Sequence, residues 1–235
     1  MYNSIAVFYS ELLTKNGSQY TLTDMTDPDE YANHVDNGGF TMPLIAVTLT
    51  NTNFFRSLFG MPTNTAFNEQ AANIYISRDV GAGIIDEYTG MNGFIEVKQA
   101  DVVLDTFPLN YQNNYTAQDS LNDLEYYAGK QSLAGPGMTY AIFSIVASQV
   151  ATSGCASYTY QQYSEHPYAR GPWFQFSEQL TDDYTTNGDI HIVHNLGVVA
   201  DTVNRRNPSS ISVFDWTRRS KPSDLVWLPR ASTYT

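Results

Sequence analysis

Two histidines, His191 and His194, form the nearest approach to a metal-binding motif in this sequence. On a helix, residues at positions i and i+3 share one face and can bind the same zinc ion. The residues around this pair, 188–195, are instead typical of a strand. An odd spacing in a strand points the two rings to opposite faces of the sheet. The sequence therefore favours two separate strand histidines over a shared metal site.

Acidic side chains provide further candidates, because carboxylates bind Ca²⁺ and catalyse glycoside hydrolysis. One cluster contains Asp24, Asp27, Asp29 and Glu30, and a second loop contains Asp182, Asp183 and Asp189. Neither reproduces the loop of a typical calcium site, so both are predicted to be solvated. Glycoside hydrolysis needs two carboxylates at a defined separation, and among 24 acidic residues nothing in the sequence selects a pair.

Other catalytic and cofactor motifs are absent from the sequence. It contains no Gly-x-Ser-x-Gly elbow, phosphate-binding loop or dinucleotide fingerprint, and Gly81-Ala82-Gly83 lacks the downstream glycine of such a fingerprint. We therefore predict a protein that is not an enzyme, with no catalytic residue, no metal ligand and no cofactor.

The chain relies on aspartate and arginine, rather than glutamate and lysine, for its charge. Aspartate outnumbers glutamate 16 to 8, arginine outnumbers lysine 8 to 4, and the net charge is −12. An acidic, lysine-poor surface suits a high-salt solvent, where screening removes its self-repulsion. An ordinary acidic extracellular β domain is the alternative that the composition leaves open.

The charge is distributed unevenly, with −15 over residues 1–200 and +3 over residues 201–235. The basic residues of the C-terminal part are Arg205, Arg206, Arg218, Arg219, Lys221 and Arg230. We predict that they contact a membrane surface or a neighbouring subunit, with a solvated face as the alternative. No specific nucleic-acid partner is predicted.

Cys155 is the only cysteine, which excludes a disulfide within the chain. The residues around it, 152–157, are typical of a loop, so it is either a buried small side chain or an exposed one that pairs with another chain. Aromatic residues follow at Tyr158, Tyr160, Tyr163 and Trp173. They are candidates for a subunit interface, with core and cross-strand packing as the alternative.

Short β-branched or aromatic runs, separated by turn residues such as Asn16-Gly17, recur along the chain. They predict strands at 4–9, 19–23, 41–50, 73–77, 93–97, 138–150, 157–163, 173–176, 189–194, 197–203, 210–216 and 225–228. We therefore expect an all-β fold, a jelly-roll β-barrel or sandwich with long loop insertions and one or two short helices. Helical spacing, with Thr116 as a possible N-cap and Gly129 as the stop, predicts one of these helices at 117–129, and a second is predicted at 64–72.

The length is compatible with a single domain over residues 1–235. A tower-like insertion is predicted at 99–137 or at 152–190, where the strand pattern is weakest or the loops are long. The first residues lack the features of a signal peptide, so no export signal is expected there.

A β-rich chain with much Thr, Asn and Tyr, long loops, no catalytic motif and an acidic, lysine-poor surface resembles a viral capsid protein. It is similar in type to the major capsid proteins of haloarchaeal icosahedral viruses with an internal membrane. The resemblance implies an upright jelly-roll in the virion shell, which assembles with copies of itself and a smaller second capsid subunit into pseudo-hexameric capsomers over that membrane. It also implies an intersubunit disulfide at Cys155.

Two further classes remain open beside this structural role. One is a carbohydrate-binding jelly-roll module, secreted or borne by a phage, that would use exposed aromatics such as Trp173 and an acidic calcium loop. The other is a lattice-forming occlusion protein, which also uses a tyrosine-rich β-sandwich. An enzyme is the least favoured class.

Overall fold

The computed structural model describes residues 1–170 and 175–180, and this part of the chain is mainly α-helical. The helices are α1 (Tyr2–Leu12), α2 (Thr41–Leu58), α3 (Thr65–Ala72), α4 (Ala117–Ala128), α5 (Met138–Val150) and α6 (Gly154–Glu165), with a 3-10 helix at Val102–Asp105. The strands are β1 (Thr14–Asn16), β2 (Gln19–Thr21), β3 (Arg78–Asp79), β4 (Ile84–Ile85), β5 (Ala169–Arg170) and β6 (Gln175–Phe176). The predicted all-β jelly-roll is therefore wrong.

The error has a physical cause that is clearest in α2. Its β-branched residues favour a strand locally, and residues 41–50 were predicted as one. Its buried side chains, however, include Met42, Ile45, Ala46 and Leu49, which recur at the three-to-four-residue spacing of a helix. Burial of this stripe outweighs the local preference. The strands predicted at 4–9, 138–150 and 157–163 likewise lie in α1, α5 and α6.

The strands form three separate antiparallel hairpins of two strands each, and the described residues contain no larger sheet. In the first hairpin Thr14 pairs with Thr21 and Asn16 with Gln19. Gly17 occupies the turn with a φ of +60°, a conformation that glycine adopts without strain. The predicted strand at 19–23 is confirmed in β2.

Both predicted short helices are confirmed as α3 and α4, and Thr116 acts as the N-cap that the sequence indicated for α4. The Thr116 side chain accepts a hydrogen bond from the Asp119 amide, and Asp119 in turn accepts one from the Thr116 amide. This reciprocal capping box satisfies two amides at the start of α4. At the start of α3, Asn64 accepts a hydrogen bond from the Ala66 amide at 3.0 Å.

The core is formed where the helices pack together along the chain: α1 and α3 pack on α2, and α5 packs between α4 and α6. Ile45, Leu49, Phe67, Leu124 and Phe143 are each almost completely buried. Residues 99–137, one predicted site of a tower, contain the 3-10 helix and α4 and contribute to this core. The single-domain prediction for 1–235 stays a prediction, because 181–235 lie outside the described residues.

Two long loops carry most of the polar groups discussed below. Loop A comprises residues 22–40 and leads from β2 to α2. Loop B comprises residues 86–101 and leads from β4 to the 3-10 helix. In the described ranges, no helix has both the length and the apolar character needed to cross a bilayer.

Candidate functional site

Loop A has an irregular backbone that is fixed by polar contacts. Asp24, His34 and Asn37 each have a φ between 52° and 57°, which is uncommon for residues other than glycine. The buried Asn37 side chain accepts a hydrogen bond from the Leu22 amide and donates one to the Thr89 hydroxyl, both at 3.0 Å. Strained backbone that its surroundings hold in place is frequent at functional sites.

Asp27 joins loop A to the beginning of α2. Its carboxylate accepts hydrogen bonds from the Phe40 and Thr41 amides, at 3.4 and 3.3 Å, and from the Thr41 hydroxyl. Burial raises the pKa of Asp27 to about 6, although these three donors favour the charged form. Gly38 passes so close that a Cβ there would lie 2.1 Å from the Asp27 Oδ2 atom.

Asp29 joins loop A to loop B and is completely buried. Its Oδ1 atom accepts hydrogen bonds from the amides of Lys98, at 3.0 Å, and Tyr31, at 3.1 Å. Its own amide donates to Asp101 Oδ2 at 2.9 Å. The Gln99 side-chain amide also donates to the Pro28 carbonyl. Loops A and B are therefore held together by hydrogen bonds between their backbones and side chains.

Glu30, the next residue, points away from this buried interior. Its side chain is 63% exposed and forms an ion pair with the Lys98 ammonium. The hydrogen bond to Glu30 is the main cause that raises the pKa of Lys98, and the Glu178 carboxylate raises it further. Lys98 thus lies in the field of two carboxylates that are 148 positions apart in sequence. Glu30 is within reach of a substrate, whereas Asp27 and Asp29 are not.

Two more carboxyl groups of loop B complete the buried part of the site. Glu87 and Asp101 are 1% and 2% exposed. Burial, followed by the Asp101 carboxylate, raises the pKa of Glu87 to about 10. Burial and the nearby Asp27 likewise raise the pKa of Asp101 well above its usual range. Both shifts favour the protonated form, and both groups are closed to solvent, so neither is a candidate for a catalytic carboxylate.

A second acidic group lies under α4, next to the 3-10 helix. Asp123 accepts hydrogen bonds from the Tyr115 hydroxyl at 2.8 Å and the Ile85 amide at 3.0 Å. Burial raises the pKa of Asp123 to about 7. Asp105 is fully buried, and no described residue donates a hydrogen bond to either of its carboxyl oxygens. Burial raises the pKa of Asp105 well above the usual range. This group has no exposed member and supports the fold.

Metal binding finds no support in the part of the chain that the structure describes, where no three His, Cys, Asp or Glu side chains are placed to hold an ion. The prediction that the 24–30 cluster is simply solvated is wrong for Asp27 and Asp29. Asp24 is exposed and pairs with His34 at 2.7 Å. His191, His194 and the acidic loop at 182–189 lie outside the described residues.

The other predicted site residues lie away from loops A and B or are not described. Cys155 is exposed, as one alternative required, but it lies in the first turn of α6 and not in a loop. Tyr158 and Tyr163 are about half exposed, and Tyr160 packs edge-to-face on Phe143. Trp173, Arg205, Arg206, Arg218, Arg219, Lys221 and Arg230 lie outside the described residues. An intersubunit disulfide at Cys155 stays a prediction.

The sequence analysis missed Glu30, Lys98 and Glu178 as members of one site. One signal was available, because Lys98-Gln99-Ala100-Asp101 places two charged residues directly before the apolar run Val102-Val103-Leu104. Charged residues beside a buried run are often fixed by partners elsewhere in the fold. The identity of those partners could not be read from spacing.

Comparisons with known proteins give a consistent result, although no family model matches this chain. Over 191 residues it is 60% identical to the cell wall acid trehalase of Arthroderma benhamiae and 54% identical to the acid trehalase of Emericella nidulans. Each match covers 81% of this chain and 18% of the relative. The chain is also 33% identical to the protein-glucosylgalactosylhydroxylysine glucosidase of Gallus gallus, over 54% of this chain and 18% of that protein.

The fold has a counterpart among solved structures. A human-microbiome protein described as a kojibiose phosphorylase matches with a TM-score of 0.60 and 13% identity, over 88% of this chain and 32% of that one. At this identity the match shows the fold alone. The chain therefore spans about a fifth of the length of its acid trehalase relatives and a third of this structure.

These findings overturn the functional predictions made from the sequence. Capsid assembly, a second capsid subunit, contact with an internal membrane and a place in the virion are wrong. The prediction that the protein is not an enzyme is also wrong, and neither a carbohydrate-binding module nor an occlusion lattice is supported over a hydrolase. The relatives of this chain are acid trehalases and glucosidases, not viral capsid proteins.

Proposed function

We propose that this chain forms part of the active site of a glycoside hydrolase that cleaves trehalose. The observation that carries the proposal is that Lys98 pairs with the exposed Glu30 and also lies in the electrostatic field of a second carboxylate, Glu178. The sequence relationship to acid trehalases adds the substrate class. Since those relatives are much longer, residues outside this sequence can also take part in binding and catalysis.

Hydrolysis of a glycosidic bond needs two carboxyl groups with different roles. One donates a proton to the departing oxygen, and the other takes a proton from water as the water oxygen bonds to the anomeric carbon. Glu30 is the proposed acid, because it is exposed in the middle of loop A, where the hydrogen bonds of Asp29 fix the backbone. Glu178, which is half-buried, is the proposed base. The products are two glucose molecules.

Lys98 has a positioning role in this proposal. Its ammonium donates a hydrogen bond to Glu30 and so holds that side chain in one orientation, and its positive charge offsets the negative charge of the proposed base. The Lys98 backbone is itself fixed by Asp29, so the position of the ammonium is set by the buried part of the site.

The names of the relatives place them in the cell wall, periplasm or medium, and we propose a location outside the plasma membrane for this protein too.

Release of glucose from trehalose tests the proposal. Glu30→Gln and Glu178→Gln remove a proton donor and a base without changing side-chain size. Each is expected to lower kcat by about 10²-fold or more. Glu125→Gln, on the exposed side of α4, is the matched control and should retain full activity.

A second experiment uses a chimera, because residues outside this sequence can also take part in binding and catalysis. The matching segment of the Arthroderma relative is replaced by that of this chain, and the same three substitutions are made in the chimera. An active chimera that loses its activity with Glu30→Gln supports the proposal. If the chimera is active and Glu30→Gln leaves kcat unchanged, the assignment of Glu30 is wrong.

A further inference from the structure

Three carboxyl groups from separate parts of the sequence meet below Glu30 without a cation to neutralise them. Asp29 belongs to loop A, and Glu87 and Asp101 lie at opposite ends of loop B. Oxygens Oδ2 of Asp29, Oε1 of Glu87 and Oδ1 of Asp101 are buried and accept no hydrogen bond from an amide, ammonium or hydroxyl group among the described residues. The charged groups that act most strongly on Glu87 are all carboxylates.

The Glu87 and Asp29 carboxyl groups lie close enough for a hydrogen bond between them, and this contact contributes to the raised pKa of Glu87. Two carboxyl groups can share a hydrogen bond only if one of them holds a proton, because ionised carboxylates are acceptors only. Burial and the surrounding carboxylates raise the pKa of Glu87 to about 10, so Glu87 is the protonated donor. Asp29 is then the acceptor.

The other oxygen of Asp29, Oδ1, fixes the backbone next to Glu30. Asp29 Oδ1 accepts hydrogen bonds from the amides of Tyr31, which follows Glu30, and Lys98, which pairs with it. One carboxylate therefore fixes the backbone on both sides of the Glu30–Lys98 ion pair. If Asp29 moved, Glu30 and Lys98 would move with it.

We propose that Asp29 is a positioning residue for Glu30, and that a proton held by Glu87 keeps Asp29 in place. The inference rests on the proposed function of Glu30 for its catalytic consequence. The arrangement itself can be measured without any activity. Loss of the proton from Glu87 would place two like charges in contact inside the protein. The hydrogen bonds that Asp29 makes between loops A and B would then break.

The groups that face Glu87 decide how this proton behaves. Asp27 and Asp29 come from loop A, Asp101 and Tyr88 from loop B, and Tyr126 and Tyr127 from α4. None of these groups is cationic at any pH. Lys98 directs its ammonium to Glu30 at the surface instead.

Hydrogen exchange of the Tyr31 and Lys98 amides tests the positioning role. Asp29→Ala removes the acceptor of both amides, so their protection is expected to fall at least about tenfold. The amides of Ile45 and Leu49 in α2 should keep wild-type protection. Asp29→Asn retains one carbonyl oxygen in the same place and should restore most of the lost protection.

Activity provides the catalytic readout, with trehalose as the substrate. Asp29→Ala should lower kcat by at least about tenfold with a small change in KM, because it displaces Glu30 and no substrate contact. Glu87→Gln replaces the acid with an amide that donates to Asp29 at every pH. The alkaline limb of kcat/KM should therefore extend to higher pH in this variant than in wild type.

Three results would overturn the inference. The first is wild-type protection of Tyr31 and Lys98 in Asp29→Ala, and the second is an equal loss of protection in Ile45 and Leu49, which would mean a general loss of stability. The third result can be obtained from the wild-type protein even if Asp29→Ala does not fold. It is a ¹³C chemical shift of the Glu87 carboxyl carbon which shows that this carboxyl group is already ionised at about pH 7. If Glu30→Gln leaves activity unchanged while Asp29→Ala shows the expected loss of protection at Tyr31 and Lys98, only the proposed function is overturned.

Discussion

The amide of Asp29 donates a hydrogen bond of 2.9 Å to the carboxyl group of Asp101, which lies 72 positions later in the chain. This bond closes loop A onto loop B directly beneath the Glu30–Lys98 ion pair. Buried hydrogen bonds therefore support the exposed ion pair. A substitution in the exposed pair should affect catalysis alone, whereas a substitution among the buried hydrogen bonds should affect stability as well.

Lys98→Met is expected to separate these two effects. The substitution keeps an apolar stem but removes the ammonium that pairs with Glu30 and interacts with Glu178, so kcat for trehalose should fall by about tenfold or more. The unfolding free energy should change by about 1 kcal/mol or less, because the Glu30 side chain is largely exposed.

The matched control for this variant is Lys15→Met. Lys15, in the first hairpin, forms an exposed ion pair with Glu69 of α3 at 2.7 Å and belongs to neither loop A nor loop B. It should retain wild-type kcat and lose equally little stability in urea. Equal activity in Lys98→Met and Lys15→Met would remove Lys98 from the site.

Asp123 is expected to make the fold more stable in acid than at neutral pH. Its pKa is raised by burial to about 7 in the folded protein, against an ordinary value of 3.8. Between these values the folded state binds a proton that the unfolded state does not, so stability is full below about pH 4 and is lost as the pH rises to 7. At about 1.4 kcal/mol per pKa unit, this amounts to a few kcal/mol.

Urea unfolding of wild type and Asp123→Asn at several pH values measures this contribution. Asparagine can still accept from the Ile85 amide and donate to the Tyr115 oxygen, and it does not titrate. The fall in stability from pH 4 to 7 should therefore be smaller in Asp123→Asn by about that amount. An identical pH dependence in both proteins would contradict the role of Asp123.

Local features of the fold could be predicted from the sequence where the signal was itself local. Helix α4 followed from the N-cap Thr116, the stop at Gly129 and the spacing of its apolar residues, and the turn of the first hairpin followed from Asn16-Gly17. Helices α2 and α5 were missed, because a continuous run of Val, Ile, Thr and Phe fits a strand or a buried helix equally well. Only the partners that bury the run decide between them.

The site could not be predicted for a related reason. Asp27, Asp29 and Glu30 were recognised as an acidic cluster, but their environment depends on residues about 60 to 150 positions later. A solvated loop is the ordinary expectation for four acids within seven residues. The buried state of Asp29 becomes predictable only once Glu87, Lys98 and Asp101 are known to surround it.

Gly38→Ala is expected to disrupt loop A from within. A Cβ at this position would lie 2.1 Å from the Asp27 carboxylate, which is held by the amides of Phe40 and Thr41 at the beginning of α2. The carboxylate cannot move away without losing these bonds, so the variant should be destabilised by about 1–3 kcal/mol. Displacement of loop A should also lower kcat for trehalose.

Gly93→Ala is the matched control, because a Cβ at Gly93 meets no atom within 4 Å. Gly93 lies in loop B, so both variants add one methyl group to a loop of the same site. Urea unfolding and trehalose hydrolysis should leave Gly93→Ala close to wild type and Gly38→Ala impaired in both. If the two variants are equally stable, loop A is not held against Asp27 as the structure has it, and the link from α2 to Glu30 through this loop is wrong.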